Sequence, residues 1–400
     1  MNLFPCLSGL FEDTLFAMHP QPSSLLDNFL CLLSILRKES AAAGNCFIPS
    51  PNEEIWHQVM SLNKFIIIAI LAAVAVMSLG CISSPEKEEN ATSQEKMTGK
   101  ISTLRIGYQP STHQIAEMVA SEKGWWKEEL KPFGITEVKE FEFPTGVPEM
   151  QAMVAGELDA AYVGTAPPIS AISAGLPAKI VAAVNINGSD LVLSPDKNYI
   201  GPQSLAGLSV GTFPPGSIQD TVMKKWLKDN GVDVNSIDIK AMDPGPAISA
   251  LSAGAVDGVF LPHPAPSIIE MKGKGKVVVH SGEMWPNHAC CSLVVTDKLI
   301  QEQPELVKAI IKVHIKATDY INAHPKEAAE IYAKKTKSNL TEIEHSVQNW
   351  DGKWVSDPNL QVSSTVDYAK VDYEMKYTSR ELQEEDLFDT SLYEKVKDAE

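Results

Sequence analysis

Three short stretches sit where a strand-like run gives way to a helical one: Thr112-His113, Thr165-Ala166 and Gly216-Ser217. Each sets a hydroxyl or an imidazole beside backbone N–H groups that a helix start leaves unpaired. Those amides and the helix dipole favour a small anion. Thr112, Thr165 and Ser217 also suit N-capping, and the two roles are compatible. Residues for other chemistries are missing. The chain has no nucleophile elbow, no HExxH, no Walker A and no dinucleotide fingerprint, and GKGKV at 273–277 precedes a strand, the wrong context for a phosphate loop. His113, His263, His280 and His288 are scattered without ligand spacing. The neighbours Cys290-Cys291 lack the i,i+3 spacing of a zinc knuckle and read as buried thiols opening the strand CCSLVV. No catalytic residue, no metal site and no cofactor are therefore expected.

The elements that must hold these residues alternate regularly. TLRIGY (103–108), VKEFEF (138–143), AAYVG (160–164) and KIVAAV (179–184) read as strands, with helical patterns between them. Pro148 suits a first helical turn. The order strand, helix, strand, helix, strand predicts a largely parallel sheet flanked by helices. The pattern restarts with LVLS (191–194), LSVGTF (208–213), a helix over 217–230, DIKAM (238–242), a helix over 246–254, DGVFL (257–261) and KVVVH (276–280). An internal echo links the halves: Ala155-Gly156-x-x-Asp159 then Pro167, and Ala253-Gly254-x-x-Asp257 then Pro264. Two similar α/β units suggest two lobes with a cleft between them. Crossings near Ser189–Leu193 and Trp285–Cys290 would form the hinge. All three anion-type helix starts would face the cleft, because ligands of open α/β sheets bind beyond the carboxyl ends of the strands. Helical, aromatic sequence from Leu340 to Tyr377 suits bracing of the first lobe, and the acidic Glu381–Glu400 reads as a solvated amphipathic end.

The chain has 400 residues and a formal charge of −17, which argues against a nucleic-acid partner. Residues 60–81 read MSLNKFIIIAILAAVAVMSLGC, in the order of an export signal. Their apolar run would be roughly 22 Å long as a helix, short for a hydrocarbon core of about 30 Å. The ending Ser78-Leu79-Gly80-Cys81 is similar to a lipoprotein box, with Leu one place late. Lipid on Cys81 would anchor the chain, and retention of 60–80 as an uncleaved helix is the alternative. Translation starting at Met60 would account for 1–59, and the polar 82–101 reads as a disordered tether. The folded part then divides into lobe one (102–190), lobe two (191–288) and a return to lobe one with C-terminal helices (289–400). With Cys81 on lipid, only Cys290 and Cys291 remain in the folded part, so no disulfide scaffold is expected.

Several runs together resemble the nitrate/sulfonate/taurine family of ABC substrate-binding proteins, with the periplasmic-binding-protein type II fold. They are IGYQPSTHQIAEMVASEKGWW, GVPEMQAMVAGELDAAYVGTAPPISAISAG, LAGLSVGTFPPGS, ALSAGAVDGVFLPHP and PELVKAIIKVHIKATDYINAHPKEAAEIY. The resemblance covers roughly 102–340 and implies a monomeric clamshell that closes on a small anionic solute outside the cytoplasm. It would then dock on an ABC permease and ATPase complex. Ligand loops implied by the resemblance are Ser111, Thr112 and His113; Gly164, Thr165 and Ala166; and Gly216 with Ser217. Where family members often carry an aromatic and an acidic residue, this chain has Leu261-Pro262-His263-Pro264, which weakens the case for taurine. His263 is then a candidate donor to an oxyanion. Nitrate, bicarbonate, a sulfonate and an organic heterocycle all remain open. The rival readings are an enzyme or a sensor on the same two-lobed fold.

Overall fold

The computed structural model describes residues 100–398. The export-like segment 60–81, Cys81 and the tether up to residue 99 lie outside the described residues.

Eleven strands are formed among the described residues: β1 Thr103–Tyr108, β2 Glu137–Glu142, β3 Ala160–Gly164, β4 Ala178–Ile186, β5 Ser189–Leu193, β6 Ser209–Thr212, β7 Asp238–Ala241, β8 Gly258–Pro262, β9 Lys276–His280, β10 Ala289–Thr296 and β11 Lys353–Trp354. They build two sheets, in the orders β11-β4-β10-β3-β1-β2 and β7-β6-β8-β5-β9. Both begin from the same three-strand core. β1 pairs in parallel with β2 and β3, and β6 pairs in parallel with β7 and β8. Each sheet then takes one reversed strand into its interior, β10 against β3 and β4, and β5 against β8 and β9, and the two-residue β11 at the edge of the first sheet is antiparallel to β4. In both cases the reversed strand is the one that has just crossed from the other sheet. The mixed sheets and the two-lobed architecture expected from the sequence are present, but the pairings are four parallel and five antiparallel rather than mostly parallel, because the strands that cross between the sheets enter reversed.

Burial follows from this layering. β3 and β4 are covered by helices on both faces, so AAYVG and AKIVAAVNI are apolar and almost wholly buried. β2 lies at an edge and keeps its charged residues in water. The helix Ile218–Asp229 starts at Ser217, whose hydroxyl accepts from the Asp220 N–H at 3.2 Å.

The repeated Asp serves the sheets. Asp159 accepts from the Arg105 N–H at 2.9 Å and from its guanidinium at 2.7 and 3.0 Å. Asp257 accepts from the Ser209 N–H at 2.8 Å and the Ser209 hydroxyl at 2.9 Å. In both lobes the Asp just before one strand pins the neighbouring strand of the core, away from the strand ends where loops meet.

The C-terminal helices brace lobe one and also reach lobe two. Ser346, on the helix Leu340–Asn349, meets His263 at 2.9 Å, and Asp372, on the helix Val362–Glu374, accepts from Thr221 at 2.8 Å. The acidic end departs from expectation: Leu382, Leu387, Phe388, Leu392, Tyr393 and Val396 are buried, and Phe388 bridges Ile180 of β4. The acidic residues dominated the reading, but the apolar ones recur at helical spacing and dock that face on lobe one.

Candidate inter-lobe site

Four strand ends converge on one small cavity of about 20 Å³. Gln109 and Ser111 follow β1, Gly164 ends β3, Phe213 follows β6 and Pro262 ends β8; His113, Ser217, Gln219, Cys290 and Cys291 also line it. No lysine or arginine is among the lining residues. The cavity shares Pro167 with a larger space of about 420 Å³ on one side, walled by Val147, Met150, Val154 and Pro215. On the other side it shares Gln109, Ser111, Phe213 and Pro262 with a space of about 170 Å³. A narrow polar centre is thus flanked by wider, more apolar wings.

The residues singled out from the sequence divide into two groups. Ser111, His113, Gly164 and Ser217 meet in the central cavity. Gly216 lines the larger wing and His263 the smaller one. The others turn inward. The Thr165 hydroxyl lies 2.8 Å from Ser292 Oγ and donates to the Cys290 carbonyl at 3.3 Å, and Ala166 is fully buried behind it. Thr112 is also fully buried; its N–H donates to the His263 carbonyl at 3.1 Å and its carbonyl accepts from Trp354 Nε1 at 2.9 Å. Gln109 and Gln219 were not anticipated. Gln219 is two residues past the Ser217 cap, and its amide donates to Ser189 Oγ at 3.0 Å across to β5.

The connections between the two sheets are built by residues with no sequence motif. The chain crosses between the sheets at Asn187-Gly188 and again between His280 and Ala289. Asp351 ties both crossings together: one carboxylate oxygen accepts from the Gly188 N–H at 2.8 Å and the other from the Gly282 N–H at 2.7 Å. Burial raises the Asp351 carboxyl, and those two bonds oppose the shift. Gly188 has φ +96°, and a Cβ there would stand 2.7 Å from Trp350 and 2.9 Å from His113 Nε2, so only glycine fits.

Beside these connections, Asp190 accepts from His263 Nε2 at 2.7 Å and from His280 Nδ1 at 2.8 Å. Burial works to raise the Asp190 carboxyl, and the two histidine contacts outweigh it and hold it below the ordinary value. The same Asp190 bond pushes His280 up to about 9. On the cavity floor, burial opposes ionisation of Cys291, and the contact with Cys290 works against it and lowers the Cys291 thiol. Burial, with the neighbouring Cys291, pushes the Cys290 thiol up.

With this geometry in place, the relationships of the chain are clear. Residues 98–336 match the NMT1-like family. The chain belongs to that family. Within it, the chain is 25% identical to a putative aliphatic sulfonates-binding protein of Bacillus subtilis, over 82% of this chain and 95% of the relative. It is 28% identical to a putative binding protein of Brucella abortus, over 58% of this chain and 70% of the relative. The fold of this NMT1-like protein matches the crystal structure of the periplasmic nitrate-binding protein of Synechocystis with a TM-score of 0.66. That match has 16% identity and covers 75% of this chain and 89% of the other. Among the described residues, no helix is long and apolar enough to cross a membrane.

Proposed function

We propose that this NMT1-like protein is the extracytoplasmic solute-binding component of an ABC importer, capturing a small anion between its lobes and passing it to a permease and ATPase complex. One observation carries the reading: the carboxyl ends of β1, β3, β6 and β8, two from each lobe, converge on one cavity. Ligands bind at this position in open α/β sheets. The kinship with a sulfonate-binding and a nitrate-binding protein supports an anionic solute. Neutral donors would hold it, from Ser111, Gln109, Ser217 and Gln219. A buried ligand lacking one matching group leaves a cleft residue unpaired, which is the source of selectivity. The apolar wings suit a solute with a short hydrocarbon tail and favour an alkanesulfonate over nitrate or bicarbonate. The role is capture and release, without turnover. Residues 60–81 act as the export signal, lipid on Cys81 holds the protein at the outer face of the membrane, and 82–101 is the tether.

Calorimetry with nitrate, bicarbonate and alkanesulfonates of increasing chain length tests the reading. One alkanesulfonate per chain is expected to bind, with affinity rising along the series. Ser111→Ala and Gln219→Ala should each weaken it by about tenfold, or about 1.4 kcal/mol. A chain that binds none of these anions would remove the anion assignment. Equal affinity for nitrate and every sulfonate would remove the role of the wings.

A further inference from the structure

Residues with no metal-type spacing in the sequence come together on the cavity floor. Cys290 Sγ lies 3.3 Å and Cys291 Sγ 3.8 Å from His113 Nδ1, and the three ligand atoms lie within 4.8 Å of one another. All three side chains are buried. Adjacent residues in a regular strand point to opposite faces, so two neighbouring cysteines should not reach one imidazole. Here they do because β10 is irregular. Ala289 pairs with Ile186 and Cys291 with Asn185, so two steps on β10 oppose one on β4. That is a bulge at Cys290, a device that re-aims a side chain.

The imidazole is oriented as well. His113 Nε2 lies 2.7 Å from the Gly188 carbonyl, which can only accept, so Nε2 carries the proton and Nδ1 presents its lone pair to the sulfurs. Metal-bound histidines are commonly fixed in this way, with the far N–H on a backbone carbonyl. Gly188 makes the close approach possible, since a Cβ there would crowd His113 Nε2.

We infer that His113, Cys290 and Cys291 form a binding site for one thiophilic divalent cation of the zinc type, at the floor of the inter-lobe cavity. Tetrahedral zinc with Zn–S of about 2.3 Å and Zn–N of about 2.0 Å sets sulfur and nitrogen about 3.6 Å apart. The two observed separations bracket that value. Zinc would bind as the thiol protons leave to solvent, giving two Zn–S bonds and one Zn–N bond. Three protein ligands leave a fourth position open, as in sites that take an exchangeable ligand. That position faces a cavity of about 20 Å³, enough for a single water or one donor atom of a solute. A cleft without lysine or arginine would thereby gain a Lewis acid. The inference concerns the metal alone and stands apart from the solute assignment.

The test uses the full chain with Cys6, Cys31, Cys46 and Cys81 replaced by Ser, so that Cys290 and Cys291 are its only thiols. Dialysed against Zn²⁺ and washed, it should retain one zinc per chain. His113→Gln should weaken retention at least tenfold, and Cys290→Ser with Cys291→Ser should abolish it. These positions are buried and the variants can misfold, so Co²⁺ is added separately to the chain with its cleft intact. Sulfur-to-cobalt charge transfer and the strong visible bands of tetrahedral cobalt are expected. Zinc retention no greater than in the double serine variant would overturn the site, and so would a weak cobalt spectrum without sulfur charge transfer. Anion calorimetry in the presence of a chelator then shows independently whether solute binding stands.

Discussion

The two lobes share a framework and differ in what they bring to the cleft. Both have a parallel three-strand core, an Asp that pins its neighbouring strand and a reversed strand received from the other lobe. Lobe one carries chemistry on its reversed strand: β10 places Cys290 and Cys291 against His113 and takes the Thr165 hydroxyl into its own hydrogen bonds. Lobe two offers a helix start instead, with Ser217 capping and Gln219 reaching back to Ser189. Repetition of a fold unit therefore fixes where the walls stand and leaves open which groups line them. The repeated aspartates hold the sheets, while the polar residues that face the cavity differ between the lobes.

The largest expected effect lies where the lobes join. Asp351→Ala leaves the Gly188 and Gly282 N–H groups without their shared acceptor and should destabilise the protein by about 3 kcal/mol, read from urea unfolding. An unchanged midpoint would show that the crossings hold without the clamp. Next come the paired aspartates. Asp159→Ala and Asp257→Ala should each cost about 2 kcal/mol, because Asp159 also receives the Arg105 guanidinium and Asp257 the Lys197 ammonium at 2.8 Å. Neither should alter solute affinity, and a loss of binding in either would break the division between framework and wall.

Thr165 and Ser217 sharpen the contrast between the lobes. Thr165→Val should lower stability by about 1 kcal/mol by removing the hydroxyl's bonds to Ser292 and the Cys290 carbonyl, which keep Gln361 and the Thr165 N–H as partners, with little change in solute affinity. Ser217→Ala should remove a cap for about 1 kcal/mol and also weaken binding, since Ser217 lines the cavity. Calorimetry beside unfolding separates the two outcomes, and equal losses of affinity would sink the distinction.

The smallest effect is electrostatic. The His280 pKa rises from its ordinary 6.5 to about 9 in the folded protein, so its contribution is fully present below 6.5 and is lost as pH rises through 9. His280→Gln should therefore be less stable than the parent at pH 6 and indistinguishable from it at pH 10. A gap that does not narrow would mean that Asp190 gains nothing from the imidazolium.

Much of the framework was legible because its signals are local. TLRIGY, AAYVG and KVVVH are strands at the expected residues, and the restarted pattern foretold a second sheet. The site was legible only at its helix starts. Thr112 and Thr165 carry the right type at the right place, yet their direction depends on contacts with His263 and Ser292, distant in sequence. Asp351 had no signal, since its partners Gly188 and Gly282 are ordinary turn residues until the fold brings them within 3 Å. The meeting of His113 with Cys290 spans 177 positions and depends on a bulge, which no spacing rule anticipates. The two-residue β11 is too short to show a period, although its Trp354 closes over the Thr112 carbonyl.

The most direct test of the central claim, capture between the lobes without turnover, is native mass spectrometry of the full chain incubated with alkanesulfonates and followed over time. The account predicts one solute of unchanged mass per chain, with the bound fraction reduced in Gln219→Ala. A solute whose mass changes during incubation, or binding that ignores Gln219, would contradict it.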